Sequence, residues 1–222
     1  MFKKVIIAED FDSINLAVMQ VLSEIGVTEI HHAKYCDDAQ IKIRKALLDN
    51  QPFDLLITDL SFIQDNRKIK LAQGDQLIAW ARNEQPELKI IVHSIENKAF
   101  FIKSLFENYG VNGFVAKGRR SISQLKKAIK KLCQDDTTYI SPEMEHILKD
   151  ETVNEIDSYD IQLIKQLSIG VSQEKMDLKF KQLGIEPNSK STIEKRIGKL
   201  KDYFKANNTI HLIAIAKDLG IV

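Results

Sequence analysis

The chain contains 222 residues, of which 28% are charged and 44% hydrophobic, and its net charge is +1. This composition excludes a disordered chain and indicates one or two globular domains with a sizeable core. The balanced net charge neither supports nor excludes binding to nucleic acid, so that question depends on where the charged residues cluster along the chain. Cys36 and Cys133 are too few and too far apart for a disulfide framework or a zinc site, which favours a reducing compartment.

The N-terminus begins like a signal peptide, but Glu9, Asp10 and Asp12 interrupt it before an apolar segment is complete. No apolar run approaches the length that spans a bilayer. We therefore expect a cytoplasmic protein that has no membrane partner.

Short apolar strands alternate with amphipathic helices over residues 1–133, which we predict to be one domain. The predicted strands lie at residues 4–8, 29–33, 53–59, 89–93 and 113–116. The predicted helices lie at residues 14–25, 39–48, 76–82, 98–108 and 122–133. Five βα units in series indicate a doubly wound α/β fold, with a five-stranded parallel sheet and helices on both faces.

Polar residues follow the ends of these predicted strands, where open α/β sheets bind their ligands. Asp59 ends a short apolar strand, and Glu9 and Asp10 follow the first strand, so together they form an acidic set that suits Mg²⁺. Ser94 follows the fourth strand and Lys117 the fifth. Each residue alone has an ordinary alternative as a solvated turn, helix cap or surface residue. Their coincidence at one edge of the sheet favours a functional site.

In this order and spacing, the Glu9-Asp10 pair, Asp59, Ser94 and the segment from Phe114 to Lys117 resemble the receiver domain of two-component response regulators. The resemblance covers residues 1–133 and implies the strand order 2-1-3-4-5. It implies that Asp59 accepts a phosphoryl group from a sensor histidine kinase.

The same resemblance implies roles for the residues around the acceptor. Mg²⁺ would be held by Asp10, Asp59 and the main-chain carbonyl of Ser61, with Glu9 acting through water on the metal. Lys117 would pair with one phosphoryl oxygen and Ser94 would donate to another. Phe114 would follow Ser94 as a switch aromatic, with plain packing in the core as the alternative.

Two features depart from the receiver pattern. Gly118 follows Lys117 where the family usually has proline, which predicts a less firmly placed lysine. The loop over residues 60–74 is longer than usual and carries Arg67, Lys68 and Lys70. These cations cover the site, contact a partner or are simply solvated, and we favour the last.

Residues 134–155 are polar and acidic, and we predict a linker with a short helix that Ser141 and Pro142 begin. Residues 156–222 have an all-helical pattern with four predicted helices. The first helix begins at the capping pair of Asp157 and Asp160, and the second begins at Ser172. The third begins at Lys190 or Ser191, and the segment 207–209 caps the fourth. This domain resembles the LuxR/NarL-type helix-turn-helix output domain, and residues 139–143 resemble the connector of that subfamily.

The third of these helices is the expected recognition helix, because it carries a basic stretch in an otherwise balanced domain. The expected DNA contacts are Lys190, Ser191, Thr192, Lys195, Arg196 and Lys199. Ser191 and Thr192 lie at the helix start, where main-chain N–H groups and hydroxyls can meet phosphate. The alternative is a solvated amphipathic helix. Glu194 and Arg196 differ from the usual family residues, so no base-reading residues are assigned.

These features predict a transcriptional regulator that is switched by phosphorylation of Asp59. The chain is then a phosphoryl acceptor rather than an enzyme, with autophosphatase activity at most a side reaction. The alternative is an interaction switch whose helical domain binds a protein, which Glu194 and the long segment before Thr192 motivate. The expected partners are a sensor histidine kinase, DNA and a second copy of the chain in a homodimer. The five histidines show no metal-ligand spacing and are predicted to be structural or solvated.

Overall fold

The computed structural model of the chain describes residues 2–63, 70–134, 137–149 and 156–222. The chain divides into two compact units. The first comprises Met1–Asn97 and Ile102–His146, and the second comprises Lys98–Phe101 and Ile147–Val222. The main division therefore falls inside the segment 134–155 that the sequence predicts to be a linker.

The first unit is built on a parallel sheet with the strand order β2-β1-β3-β4-β5-β6. Its strands are β1 (Lys4–Ala8), β2 (Glu29–Ala33), β3 (Leu55–Thr58), β4 (Lys89–Ser94), β5 (Gly113–Ala116) and β6 (Tyr139–Ile140). The predicted order 2-1-3-4-5 is confirmed, but the predicted number of five strands is too low. The sixth strand has two residues, which pair in parallel with Gly113 and Phe114 of β5. So short a strand shows no hydrophobic period.

Five helices accompany these strands: α1 (Asp12–Glu24), α2 (Cys36–Leu48), α3 (Gly74–Glu84), α4 (Ala99–Glu107) and α5 (Ser121–Gln134). Their ends differ from the predicted ones by up to three residues. In α5, Leu125, Ala128, Ile129 and Leu132 recur at helical spacing and are all buried. They pack with α1 and with the apolar side chains of β1 and β3 in one hydrophobic core. The central strands β1, β3 and β4 are buried on both faces, as expected inside a doubly wound sheet, whereas the edge strands β2 and β6 are more exposed.

The chain continues from β6 into a 3₁₀ turn (Pro142–Met144) and the short helix α6 (Glu145–Lys149). The predicted short helix after Ser141 is therefore present. None of the helices in the described ranges is both long and apolar enough to cross a membrane.

Four α-helices occupy the described residues 156–222: α7 (Ser158–Ser168), α8 (Met176–Leu183), α9 (Lys190–Tyr203) and α10 (Thr209–Asp218). Asp157 and Asp160 form the predicted capping box at the start of α7. A 3₁₀ turn (Gln173–Lys175) precedes α8, and Gly184 ends α8 with a left-handed φ of 66°. The side chain of Ser189 caps α9, and the side chain of Asn208 caps α10. The four helices enclose one apolar core.

Candidate functional site

Three carboxylates converge at the carboxyl ends of β1 and β3. The register places Ala8 beside Thr58, so the residues that follow them, Glu9 and Asp59, are neighbours at this edge. Glu9 is 2% exposed and Asp59 is 4% exposed. One carboxylate oxygen from each of Glu9, Asp10 and Asp59 lies within 4.8 Å of the other two. The structure therefore brings the predicted acidic set together, largely out of water.

Lys117, which follows β5, supplies the cation of the site. Its Nζ lies 2.6 Å from Asp59 Oδ2 and 2.8 Å from Glu9 Oε2. Burial raises the pKa of Glu9, and the ammonium of Lys117 opposes that rise. The main-chain N–H of Lys117 also donates to the carbonyl of Ser94 at 2.8 Å. Lys117 is thus held by both its side chain and its main chain, although Gly118 replaces the usual proline.

The carboxylate of Asp59 is held in one orientation. Its Oδ1 accepts hydrogen bonds from the main-chain N–H groups of Leu60 at 2.6 Å and Ser61 at 3.4 Å, while Oδ2 faces Lys117. The hydroxyl of Thr58 donates to the main-chain oxygen of Asp59 at 2.7 Å. Ser61 therefore lies beside Asp59, and its predicted role as a carbonyl ligand of a metal stays a prediction.

Gly74 is a residue of the site that the sequence analysis did not identify. It begins α3, and its N–H donates to the carbonyl of Leu60 at 2.9 Å. A Cβ on Gly74 would lie 1.9 Å from the main-chain oxygen of Asp59 and 2.9 Å from Cα of Leu60. Only glycine leaves room for this close approach of two backbone segments.

Asp10 offers a test of whether the acidic site suits a metal. Its Oδ2 accepts the N–H of Ile63 at 2.8 Å. Its Oδ1 is buried and has no hydrogen-bond partner among the residues that the structure describes. An unpartnered carboxylate oxygen out of water is costly, and a hard cation satisfies it. The donor set of Glu9, Asp10 and Asp59 therefore fits Mg²⁺.

Ser94 and Phe114 are both fully buried. Ser94 ends β4, and its hydroxyl accepts the N–H of Glu96 at 3.4 Å. Phe114 lies in β5, paired with Val92 on one side and Ile140 on the other. In this structure Phe114 packs in the core, which was the alternative for this residue, and its role as a switch stays a prediction.

The long loop between β3 and α3 is described only at its ends. The N–H groups of Lys70 and Leu71 donate to the carboxylate of Asp37 at 3.0 Å and 2.9 Å. This contact anchors the end of the loop to the start of α2. The segment 64–69, which includes Arg67 and Lys68, lies outside the described residues.

His93 is a buried polar residue of β4 next to Ser94. It is 2% exposed, and neither ring nitrogen has a hydrogen-bond partner within the described part of the chain. Burial lowers the pKa of His93 to about 4, Lys117 acts in the same direction, and Asp59 opposes both. The predicted structural role fits this burial, and the imidazole is neutral at pH 7.

Lowering the pH from 7 to 5 should therefore reduce the free energy of unfolding by about 2 kcal/mol through His93 alone. The ordinary pKa of 6.5 applies in the unfolded chain and about 4 in the folded one, so the unfolded state binds more protons between these values. Stability is consequently lost as the pH falls. Urea unfolding at both pH values would measure this loss of stability. The fluorescence of Trp80, the single tryptophan, which lies in α3, reports the unfolding.

The variant His93→Leu should remove this part of the pH dependence. His146→Leu, which replaces an exposed histidine, is the matched control and should keep the wild-type difference. An unchanged difference in His93→Leu would show that other groups cause the acid destabilisation.

Apart from Arg196, the predicted DNA-binding cations of α9 lie on the side of the helix that faces away from the core. Ile193, Ile197 and Leu200 are buried in the helical unit. Four of the predicted DNA-binding residues are exposed on this outer side: Lys190, Ser191, Lys195 and Lys199. Thr192 is half-buried, and its N–H donates to the capping hydroxyl of Ser189 at 3.3 Å. The helix is therefore amphipathic, with a basic outer face.

Arg196 does not join that outer face. Its Nε lies 2.5 Å from Asp160 Oδ1, its Nη2 lies 2.7 Å from Asp160 Oδ2, and it also pairs with Asp157. The hydrogen bonds to Asp160, which is 1% exposed, raise the pKa of Arg196. Two carboxylates thus offset the charge that was predicted to contact DNA. Arg196 therefore ties α9 to the start of α7, and its predicted contact with DNA stays a prediction.

Known proteins resemble this chain in structure rather than in sequence. No family model and no curated protein sequence matches it. Solved structures of the RcsB response regulator do match. Salmonella typhimurium RcsB, described for its conformational dynamism in DNA interaction, is 22% identical, with a TM-score of 0.67 over 97% of this chain and 99% of that one. A complex of two RcsB dimers with two parallel DNAs is 22% identical, with a TM-score of 0.64 over 98% of both chains.

The first unit has a separate match to a single-domain structure. The non-phosphorylated receiver domain of the stress response regulator RcsB from Escherichia coli is 27% identical. This match has a TM-score of 0.51 and covers 63% of this chain and 98% of that one. The chain therefore shares the fold of the RcsB structures, an α/β domain followed by a helical domain.

Proposed function

We propose that this chain is a response regulator in which phosphorylation of Asp59 controls DNA binding and transcription. The observation that carries the proposal is the position of Lys117, whose ammonium contacts Asp59 and Glu9 where β1, β3 and β5 end. A buried carboxylate held beside a cation and two further carboxylates is arranged to receive a phosphoryl group and to balance its charge.

The chemistry follows from the groups around Asp59. A carboxylate oxygen of Asp59 attacks the phosphorus, an acyl phosphate forms, and the donor leaves with the electron pair of the broken bond. Glu9, Asp10 and Asp59 would hold Mg²⁺, which supplies positive charge against the phosphoryl oxygens when bound. Lys117 then pairs with the new dianion, and the hydroxyl of Ser94 donates to it.

Phosphorylation adds a charge of about −1.5 to −2, which strongly attracts both Lys117 and Ser94. We propose that Ser94 moves inward and Phe114 follows it, although the ring is fully buried before phosphorylation. A sensor histidine kinase as donor and a cytoplasmic location belong to the same proposal. The chain acts as a phosphoryl acceptor, and any hydrolysis of its own acyl phosphate is a side reaction.

The similar structures support the choice of DNA as the ligand of the helical unit. They include RcsB dimers bound to DNA and an RcsB receiver domain in the presence of a phosphomimetic. We propose that two copies of this chain likewise bind DNA as a homodimer. The exposed cations of α9, at Lys190, Lys195 and Lys199, would contact phosphates.

A protein ligand for the helical unit is the second candidate. Glu194 is exposed on the same helix, and Arg196 is engaged by two aspartates, so the outer face is less basic than the sequence suggests. An interaction switch would retain the chemistry at Asp59 and change only what the helices bind.

Selection of DNA fragments by the phosphorylated chain, followed by sequencing, separates the two candidates. DNA readout predicts an enriched sequence and an affinity that falls steeply with salt. Lys195→Ala should then reduce the slope of log affinity against log salt by about one, because one phosphate contact is lost. Lys45→Ala, an exposed lysine of α2, should leave the slope unchanged. No enriched sequence, with retention insensitive to salt, would favour the protein ligand.

A further inference from the structure

The hydroxyl of Ser141 is fully buried between three parts of the first unit. It accepts a hydrogen bond from the main-chain N–H of Ala116 at 3.0 Å and donates to Gln124 Oε1 at 2.5 Å. The main-chain N–H of Ser141 also donates to the carbonyl of Phe114 at 3.0 Å. Ser141 therefore bonds twice to the end of β5 and once to α5.

Gln124 extends these contacts to the 3₁₀ turn that follows Ser141. It is 5% exposed, and its Nε2 donates to Glu143 Oε1 at 3.2 Å and Oε2 at 3.0 Å. The main-chain N–H of Met144 donates a hydrogen bond to the carbonyl of Ser141 at 2.8 Å. We call Ser141, Gln124 and Glu143 the Ser141 cluster. It joins the end of β5, the buried side of α5 and the turn before α6.

The Ser141 cluster acts on the backbone that carries Lys117. The N–H of Ala116 is bonded to Ser141, and the next N–H, that of Lys117, is bonded to the carbonyl of Ser94. These two adjacent peptide groups are thus held from opposite sides. Since β6 ends at Ile140, its main chain does not reach Ala116, and the hydroxyl of Ser141 takes the place of a ladder partner.

Direct bonds therefore connect the phosphoryl site to the segment after β6. Movement of Lys117 towards a new phosphoryl group would displace the peptide that Ser141 holds. Conversely, displacement of the turn at residues 142–144 would release that peptide and loosen Lys117. Such an effect is reciprocal, because a coupling free energy acts equally in both directions.

We propose that Ser141 is a positioning residue for the phosphoryl site, and that the Ser141 cluster couples Lys117 to the segment of residues 141–149. This inference rests on the proposed role of Lys117 beside a phosphorylated Asp59. It identifies the hydroxyl of Ser141, rather than β6 alone, as the group through which the state of the site reaches the turn and α6.

The experiment uses the full chain, with acetyl phosphate and Mg²⁺ as the phosphoryl donor system and intact mass as the readout. Ser141→Ala leaves the N–H of Ala116 and the oxygen of Gln124 unpartnered, so we expect about tenfold faster hydrogen exchange at Ala116. We also expect phosphoryl incorporation to slow several-fold. Ser141→Thr keeps the hydroxyl and should restore both values to within about twofold. Ser123→Ala, which removes an exposed hydroxyl of α5, is the matched control.

The reverse direction is tested by Lys117→Met, which should speed hydrogen exchange at the N–H of Met144. Unchanged exchange at Met144 would overturn the coupling. Normal phosphoryl incorporation in Ser141→Ala, together with faster exchange at Ala116, would overturn the positioning role. If Ser141→Ala does not fold, Gln124→Met removes one of the two bonds, that from the Ser141 hydroxyl to Gln124 Oε1, and should still speed exchange at Ala116 and slow phosphoryl incorporation, each by less than Ser141→Ala. If the wild type takes up no phosphoryl group, the proposed function fails, and exchange in Lys117→Met still decides the coupling.

Discussion

Asp59→Asn is expected to abolish the uptake of a phosphoryl group from acetyl phosphate in the presence of Mg²⁺. Asparagine has nearly the same shape, and its Oδ1 can still accept the N–H of Leu60, so the loop keeps its conformation. The amide is neutral and is not a nucleophile, so no acyl phosphate can form. Lys117 would retain Glu9 as its partner at 2.8 Å. Intact mass spectrometry of the full chain measures the loss.

Asp49→Asn is the control for this experiment, because Asp49 is an exposed aspartate that follows α2, away from the strand ends. It should take up the phosphoryl group at the wild-type rate. Unchanged labelling of Asp59→Asn would place the acceptor elsewhere, and a peptide map of the labelled chain would identify the residue. Asp10 would then be the first residue to replace, because one of its buried oxygens has no partner among the described residues.

Gly74→Ala should destabilise the first unit by about 3 kcal/mol, near the upper end of the usual cost of overpacking. The added methyl group would lie 1.9 Å from the main-chain oxygen of Asp59, and that neighbour is backbone rather than a flexible side chain. Either the start of α3 or the loop that carries Asp59 must therefore move. Because an error of about 1 Å in a reacting group is costly, we also expect phosphoryl uptake to fall by about a hundredfold.

Urea unfolding followed by the fluorescence of Trp80 reports on the first unit alone, because the chain has no other tryptophan. Gly118→Ala is the matched control, since a Cβ at Gly118 would have no neighbour within 4 Å. It should unfold within about 0.5 kcal/mol of the wild type, as surface substitutions usually do. Wild-type stability in Gly74→Ala would mean that the two backbone segments separate at no cost.

The parts of this molecule that depend on periodic patterns were predictable from the sequence. The apolar runs of β1, β2 and β5 have the predicted ends, and the predicted order of the first five strands is confirmed. Convergence of Glu9 and Asp59 followed from topology, because parallel strands end at the same edge of their sheet. Side-chain caps were equally readable, since Asp157 and Asp160 lie three residues apart and act within one turn.

Features that depend on contacts between distant residues were not predictable. The basic stretch of α9 gave no sign that Arg196 would pair with Asp160, 36 residues earlier in the chain. In the sequence Gly74 resembles an ordinary loop glycine, because nothing near it indicates that its Cα packs against the backbone of Asp59. Ser141 likewise resembles a simple helix cap, although its side chain makes no capping hydrogen bond and contacts Ala116 and Gln124 instead.

The two residues of β6 also determine where the chain can be truncated to give a well-behaved fragment of the first unit. A fragment that ends at Cys133 would leave the outer N–H and C=O groups of β5 unpaired, and an open edge of this kind is a template for aggregation through strand pairing between molecules. Such a fragment would also lack Ser141, which satisfies the N–H of Ala116. A monodisperse fragment of the first unit should therefore extend to His146, where that unit ends.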